Sequence, residues 1–274
     1  MRLKRILFIL AIVMIVVGFV FINKYVSIKD DIKTNTESVT ELTSVKESSS
    51  VRIITEPSTI ASTKAHPSKK KPVPSTPAAT EQPKQLWNKF KPICQYPELP
   101  TGCEITSLTM VLNYNGLSAK KGDLSDNYLD KGKVGTVDFR KAFEGDPRDG
   151  DSYGCYAPVI IKTANRYLKS HGSKLKAIEI TGTDFDSLFD YTDVDIPVMV
   201  WCTYELKQGH YSLKWHVDGE DLTWYTPEHC MVLLGKRGNK AITADPASGE
   251  IKFYDKNLLK KRYNELYKQA VIIH

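Results

Sequence analysis

No cysteine occurs in the first 90 residues of this 274-residue chain, and no C-x-x-C pair occurs anywhere in it. A zinc ribbon is built on such pairs and a dithiol exchanger on one of them, so neither class is supported. Residues 91–274 also lack a basic bias. Residues 1–90 carry 14 Lys/Arg and 7 Asp/Glu, which leaves 24 basic and 25 acidic groups for the remainder. The formal charge of +6 therefore belongs to the N-terminal third, and a nucleic-acid partner is not expected. Charge is missing in a third place, the 17-residue apolar run Ile6–Ile22 that follows Arg2, Lys4 and Arg5.

That run is near the lower limit for a helix crossing a bilayer. No small-x-small cleavage site follows it, so residues 1–28 are expected to be an uncleaved, single-pass signal anchor. Basic residues ahead of the span place the remainder outside the membrane. A cleaved signal peptide is the rival. Residues 29–90 are rich in Ser, Thr, Pro and Lys and poor in large apolar side chains. Such a composition does not offset chain entropy, and the segment reads as a disordered stalk. Its Lys69-Lys70-Lys71 run could touch an anionic cell wall, or be a solvated spacer.

Residues 91–274 suit a single domain with a sizeable core. Within them, Leu99-Pro-Thr-Gly-Cys103-Glu-Ile-Thr-Ser-Leu108 reads as a loop turning into a helix. Thr101 and Glu104 have capping-box spacing, and Ile105, Leu108, Val111 and Leu112 recur at helical period, with Gly116 as C-terminal cap. Cys103 would then sit at the positive end of the helix dipole, which favours thiolate. Taken alone, a cysteine there is more often a small core residue.

Further on, residues 117–155 are dense in Gly and Asp and read as an irregular excursion. Asp146, Asp149 and Asp151 do not fit a calcium loop and read as turn chemistry. Pro158 opens a helix to about Ser170. Leu175–Ile180 reads as a strand, Asp184–Tyr191 as a short helix, and Ile196–Cys202 as a central strand. Residues 203–227 read as an aromatic-rich loop in which a hairpin is an option. His229–Gly235 and Ala241–Asp245 form a strand pair around the turn at Lys236–Asn239. Asp255–Tyr267 is a helix and Ala270–Ile273 a last strand.

A cysteine nucleophile needs a base, and the base needs a partner on its far ring nitrogen. Cys103 on a helix, His229 opening a strand and Asp245 ending the paired strand suit those roles if they gather at one crevice. A register with His229 opposite Pro246 or Asp245 would let imidazole and carboxylate meet. Gln95, just upstream, is a candidate second oxyanion donor beside the Cys103 N–H. His210 and His216 lack convincing ligand spacing. Neither a metal nor a cofactor is expected. Five cysteines outside the cytoplasm leave at least one free or paired between chains; the state of Cys94, Cys155, Cys202 and Cys230 stays open.

The segments Gln95-Tyr-Pro-Glu-Leu-Pro-Thr-Gly-Cys103-Glu-Ile-Thr-Ser-Leu, Gly154-Cys-Tyr-Ala-Pro158, Pro197-Val-Met-Val-Trp201, Pro227-Glu-His229-Cys-Met-Val-Leu-Leu-Gly235 and Asp245-Pro-Ala-Ser-Gly249 together resemble the bacterial peptidase-like domain related to family 39 of the cysteine peptidases. That family includes the bacteriocin-processing, double-glycine peptidases. The resemblance spans about residues 91–274. It implies an α+β, papain-like fold, with Cys103 as nucleophile, His229 as base, Asp245 as orienting acid and Gln95 in the oxyanion hole. It also resembles the secreted or membrane-anchored surface branch found in Gram-positive bacteria. An attached transporter, as in the bacteriocin-processing members, is not expected, and their leader-peptide specificity is not expected to carry over. The expected function is an extracytoplasmic thiol hydrolase acting on peptides or peptidoglycan stem peptides. The alternatives are a cell-wall amidase or transpeptidase with the same triad, and a non-catalytic binding module.

Overall fold

The computed structural model describes residues 85–274. The expected signal anchor and most of the expected stalk lie outside the described residues. Among the described residues no helix is long and apolar enough to cross a membrane.

The domain is a six-stranded antiparallel sheet with helices on both faces. Helix α1 is Leu86–Lys89 and α2 is Cys103–Tyr114. A turn of helix, α3 (Lys121–Asp123), runs into a wider turn at Leu124–Tyr128, and β1 (Lys131–Gly132) pairs in parallel with β2 (Phe143–Glu144). Then follow α4 (Ala157–Ser170), β3 (Ala177–Glu179), α5 (Leu188–Asp193) and β4 (Val198–Thr203). The hairpin β5 (His210–Val217) and β6 (Glu220–Thr226) forms its own two-stranded sheet. The chain closes with β7 (Glu228–Arg237), β8 (Lys240–Asp245), β9 (Glu250–Asp255), α6 (Lys256–Glu265) and β10 (Ala270–Ile273). Strand order in the main sheet is β3-β10-β4-β7-β8-β9.

Two cores follow from this layering. On one face, Ile105, Leu108, Val111 and Leu112 of α2 pack with Met199, Trp201, Cys230, Val232 and Leu234. On the other, Phe189 of α5 and Leu259 and Tyr263 of α6 pack with Val198, Val200, Met231 and Leu233. Alternate residues of β4 and β7 thus enter opposite cores, so both strands read as unbroken apolar runs. The four α2 residues are fully buried, each contributing about 1.5–3 kcal/mol relative to exposure. Trp201 adds an indole N–H bond to the Cys155 carbonyl, 2.9 Å.

Several expectations need correction. Leu86 and Phe90, assigned to the stalk, are buried in the core, because four apolar or aromatic residues crowd the stretch 86–93. The capping box is absent. Gly102 is the N-cap, Thr101 Oγ1 donates to the Asp149 carbonyl at 2.9 Å, and Glu104 points into the protein. Gly102 suits the cap because a Cβ there would lie 2.7 Å from Leu99 Cβ. Strand β9 was not anticipated; Ile251 and Phe253 alternate with polar partners over only a few residues, and pairing with β8 supplies the rest. The β7–β8 turn is tighter than expected, with Arg237 opposite Lys240 and Gly235 opposite Ile242. A bulge at Leu233/Gly235 shifts the register. Gly235 has φ +144 and lies under the Trp87 ring, a place only glycine fits.

Candidate active site

Cys103 is the first residue of α2 and is 5% exposed. It lines a cavity of about 460 Å³ together with Gln95, Tyr153, Trp224, Glu228 and His229. The other end of the site is the start of β7 and the end of β8. There His229 Nε2 lies 2.8 Å from Asp245 Oδ1, with both side chains buried. Asp245 also accepts from Tyr254 Oη at 2.8 Å and from the Ala247 N–H at 2.9 Å. The Asp-Pro turn and the imidazole contact thus share one carboxylate. Burial pushes this carboxyl up, but the bonds from His229, Tyr254 and Ala247 outweigh it and hold Asp245 below its ordinary range.

The pairing differs from the expected register. Extrapolating Val232 opposite Ala244 puts Asp245 opposite Met231, two residues along from His229. The contact is therefore diagonal, within reach of long side chains.

The sulfur faces elsewhere. Cys103 Sγ lies 3.2 Å from Glu104 Oε2 and 4.0 Å from Glu228 Oε2, and no hydrogen bond joins it to His229 among the described residues. Strand parity explains this. Glu228 has the parity of Cys230, which enters the α2 core, while His229 has the parity of Met231, which enters the α6 core. His229 stands edge-on to Tyr204, with ring centroids 5.5 Å apart. It reaches the shared cavity because it sits at the open end of its strand.

The electrostatics reverse the expectation drawn from the helix dipole. Burial, then the charges of Glu104 and Glu228, push the Cys103 thiol well above its ordinary range. A terminal dipole is worth about 0.3–1 kcal/mol, less than the desolvation of a buried anion. Burial likewise raises Glu104 to about 7, against the lowering effect of the Cys155 N–H, which donates to its Oε1 at 2.6 Å. Glu228 is raised well above its ordinary range by burial and by Glu104. Its Oε1 is buried without a partner.

Gln95 is held in place by its backbone N–H on the Pro246 carbonyl, 2.8 Å. Its side-chain Nε2 donates to the Pro100 carbonyl at 2.7 Å, and Oε1 has no partner. It borders the cavity, with one amide hydrogen already engaged. His216 pairs with Asp221 on the surface of the β5–β6 hairpin. Asp146 and Asp149 accept from the backbone N–H two residues on, as turn residues do. All five cysteines are free thiols.

Two residues of this site escaped the sequence reading. Spacing alone gives Glu104 a capping role, and Glu228 stands in a family-like segment without a role of its own. Their only local signal is adjacency to Cys103 and His229; their meeting spans 124 residues of chain and depends on strand parity.

The Peptidase_C39 like family model matches residues 87–271. An uncharacterized protein of Bacillus subtilis (strain 168), YvpB, is 26% identical over 215 residues, covering 72% of this chain and 82% of that protein. A crystal structure of a Bacillus anthracis protein assigned as a C39-like peptidase superposes with a TM-score of 0.62 at 23% identity, covering 69% of this chain and 96% of that one. The mixed α/β fold is that of C39-like peptidases, and the chain belongs to the Peptidase_C39 like family.

Proposed function

We infer that this chain is a cysteine peptidase held at the outer face of the cell membrane by its N-terminal segment. In this reading Cys103 attacks the scissile carbonyl and His229 takes the thiol proton, then delivers it to the leaving amine. Asp245 holds Nε2 and so presents Nδ1 to the sulfur. The Cys103 N–H and the free amide hydrogen of Gln95 receive the oxyanion. The observation that carries the reading is the buried His229–Asp245 pair, whose His229 lines the same cavity as a helix-start cysteine. Catalysis requires the sulfur to turn from Glu104 toward the imidazole when substrate enters. The substrate is a peptide, with peptidoglycan stem peptides as the cell-wall variant of the same chemistry.

The test is incubation of the full-length chain, in detergent, with peptide libraries and with purified wall fragments. Peptide cleavage that disappears in Cys103→Ala supports the peptidase. Cleavage confined to wall fragments would instead identify an amidase or transpeptidase. A second reading, a binding module without turnover, is favoured by the sulfur's contact with Glu104 and its raised affinity for the proton. Reaction of Cys103 with iodoacetamide no faster than free cysteine, with no turnover of either substrate set, would establish that reading.

A further inference from the structure

Cys103, Glu104 and Glu228 offer one donor atom each, all within 4.8 Å of one another. We propose that these three side chains bind a divalent cation of borderline softness, Zn²⁺ foremost, and that its binding withdraws the Cys103 sulfur from acyl transfer. The second half rests on Cys103 being the nucleophile; the binding does not.

Tetrahedral zinc with Zn–S near 2.3 Å and Zn–O near 2.0–2.2 Å sets neighbouring ligand atoms roughly 3.3–3.7 Å apart. The sulfur-to-oxygen distances here, 3.2 and 4.0 Å, bracket that span. Three further observations point to a ligand. Glu228 Oε1, the second oxygen of the carboxyl whose Oε2 faces the sulfur, is buried and has no hydrogen-bond partner, so this carboxyl stands under-satisfied beside the site. Space beside the carboxylates is kept clear by Gly154, where a Cβ would stand 2.5 Å from Glu104 Oε1 and 3.1 Å from Glu228 Oε2. The Cys155 N–H fixes the orientation of Glu104, as outer partners of metal ligands do. The cavity reaches Cys103 and Glu228, giving an ion entry and leaving a fourth position for water. A thiolate with two carboxylates favours zinc over the oxygen-seeking Ca²⁺ and Mg²⁺. On binding, the Cys103 S–H bond breaks and a Zn–S bond forms; the thiol proton, and the protons that burial keeps on the Glu104 and Glu228 carboxyls, leave to solvent, and no oxidation state changes.

The full-length chain, reduced and stripped with EDTA, is titrated with Zn²⁺ by calorimetry and with Co²⁺ by absorption. The expected result is one saturable equivalent and a thiolate-to-cobalt charge-transfer band. Zinc should block alkylation of Cys103 in proportion to occupancy, and chelator should restore it. Cys103→Ser should abolish the band, and Glu228→Gln should weaken Zn²⁺ by about ten-fold or more, since even an outer partner is worth that. Glu228→Asp, with the charge kept but the reach shortened, is the second variant, and thermal melts establish that each is folded. Absence of saturable binding, a band that survives Cys103→Ser, or unchanged affinity in both folded Glu228 variants would overturn the site and leave a protonated carboxyl pair. Saturable binding with a Cys103 no more reactive than free cysteine in the stripped chain would keep the site and remove the nucleophile.

Discussion

The Cys103 thiol donates to Glu104 Oε2 at 3.2 Å within α2, while the His229 imidazole on β7 is bonded to Asp245 at the end of β8. Sulfur and imidazole are thus each engaged, with different carboxyl groups, at one cavity. Buried carboxyls beside the sulfur favour the thiol over the thiolate, and the imidazole is held ready by its own partner. A substrate entering between them would have to exchange the first contact for one with His229.

Asp245→Asn should lower peptide turnover by roughly 10²–10⁴-fold, because an amide holds the imidazole without stabilising its cation. Tyr254→Phe removes only the bond to Asp245 Oδ2 and should cost about 0.5–1.5 kcal/mol of stability with a far smaller loss of turnover. Steady-state kinetics and urea unfolding of the two variants check this ordering. Equal losses of turnover would count against a role for Asp245 in orienting the base.

Gly154→Ala should destabilise the domain by about 1–3 kcal/mol. The added methyl meets Glu104 Oε1, which the Cys155 N–H holds in place, and also Glu228 Oε2 and the Trp224 ring. Relief requires the carboxylates to shift, so the alkylation rate of Cys103 should change as well. A variant with wild-type stability and alkylation would show that the site is looser than described.

Trp201→Phe should cost about 1–3 kcal/mol, since it leaves the buried Cys155 carbonyl without the indole N–H while filling most of the same volume. Cys155 is the residue whose N–H orients Glu104. The urea midpoint should therefore fall, and Cys103 alkylation should respond with it.

The metal-free chain should be more stable near about pH 5 than near about pH 8. Glu104 is raised from 4.5 to about 7 in the folded chain. A raised carboxyl contributes stability that is complete below its unfolded value and lost as pH rises through its folded one. Asp245 works in the opposite sense: held below 3.8, its contribution is present above that value and lost as pH falls further. Urea midpoints across this range, in EDTA, should decline toward alkaline pH, and Glu104→Gln should flatten the decline.

Much of the fold was legible because its signals are local. The 3.6-residue period of Ile105, Leu108, Val111 and Leu112 marked α2, Pro158 marked the first turn of α4, and the apolar run at Ile196–Cys202 marked a central strand, observed as Val198–Thr203. Asp255, expected as the first residue of the last helix, is instead the N-cap of α6, accepting from the Leu258 N–H. The Thr101/Glu104 cap failed for an equally physical reason. Thr101 Oγ1 found loop carbonyls 48 residues away, and Glu104 found the Cys155 N–H.

The amino-acid order by itself determined which side chains stand at the start of α2, at the start of β7 and at the end of β8, because helix and strand periods and Asp-Pro turns are set by near neighbours. Tertiary structure alone decided which of them touch. The β7 bulge and the two-residue turn set a diagonal His229–Asp245 contact, and the two-residue period of β7 sent Glu228 toward the sulfur and His229 to the opposite face. Those choices depend on register and on which helix covers which face, quantities that no local stretch of the chain encodes.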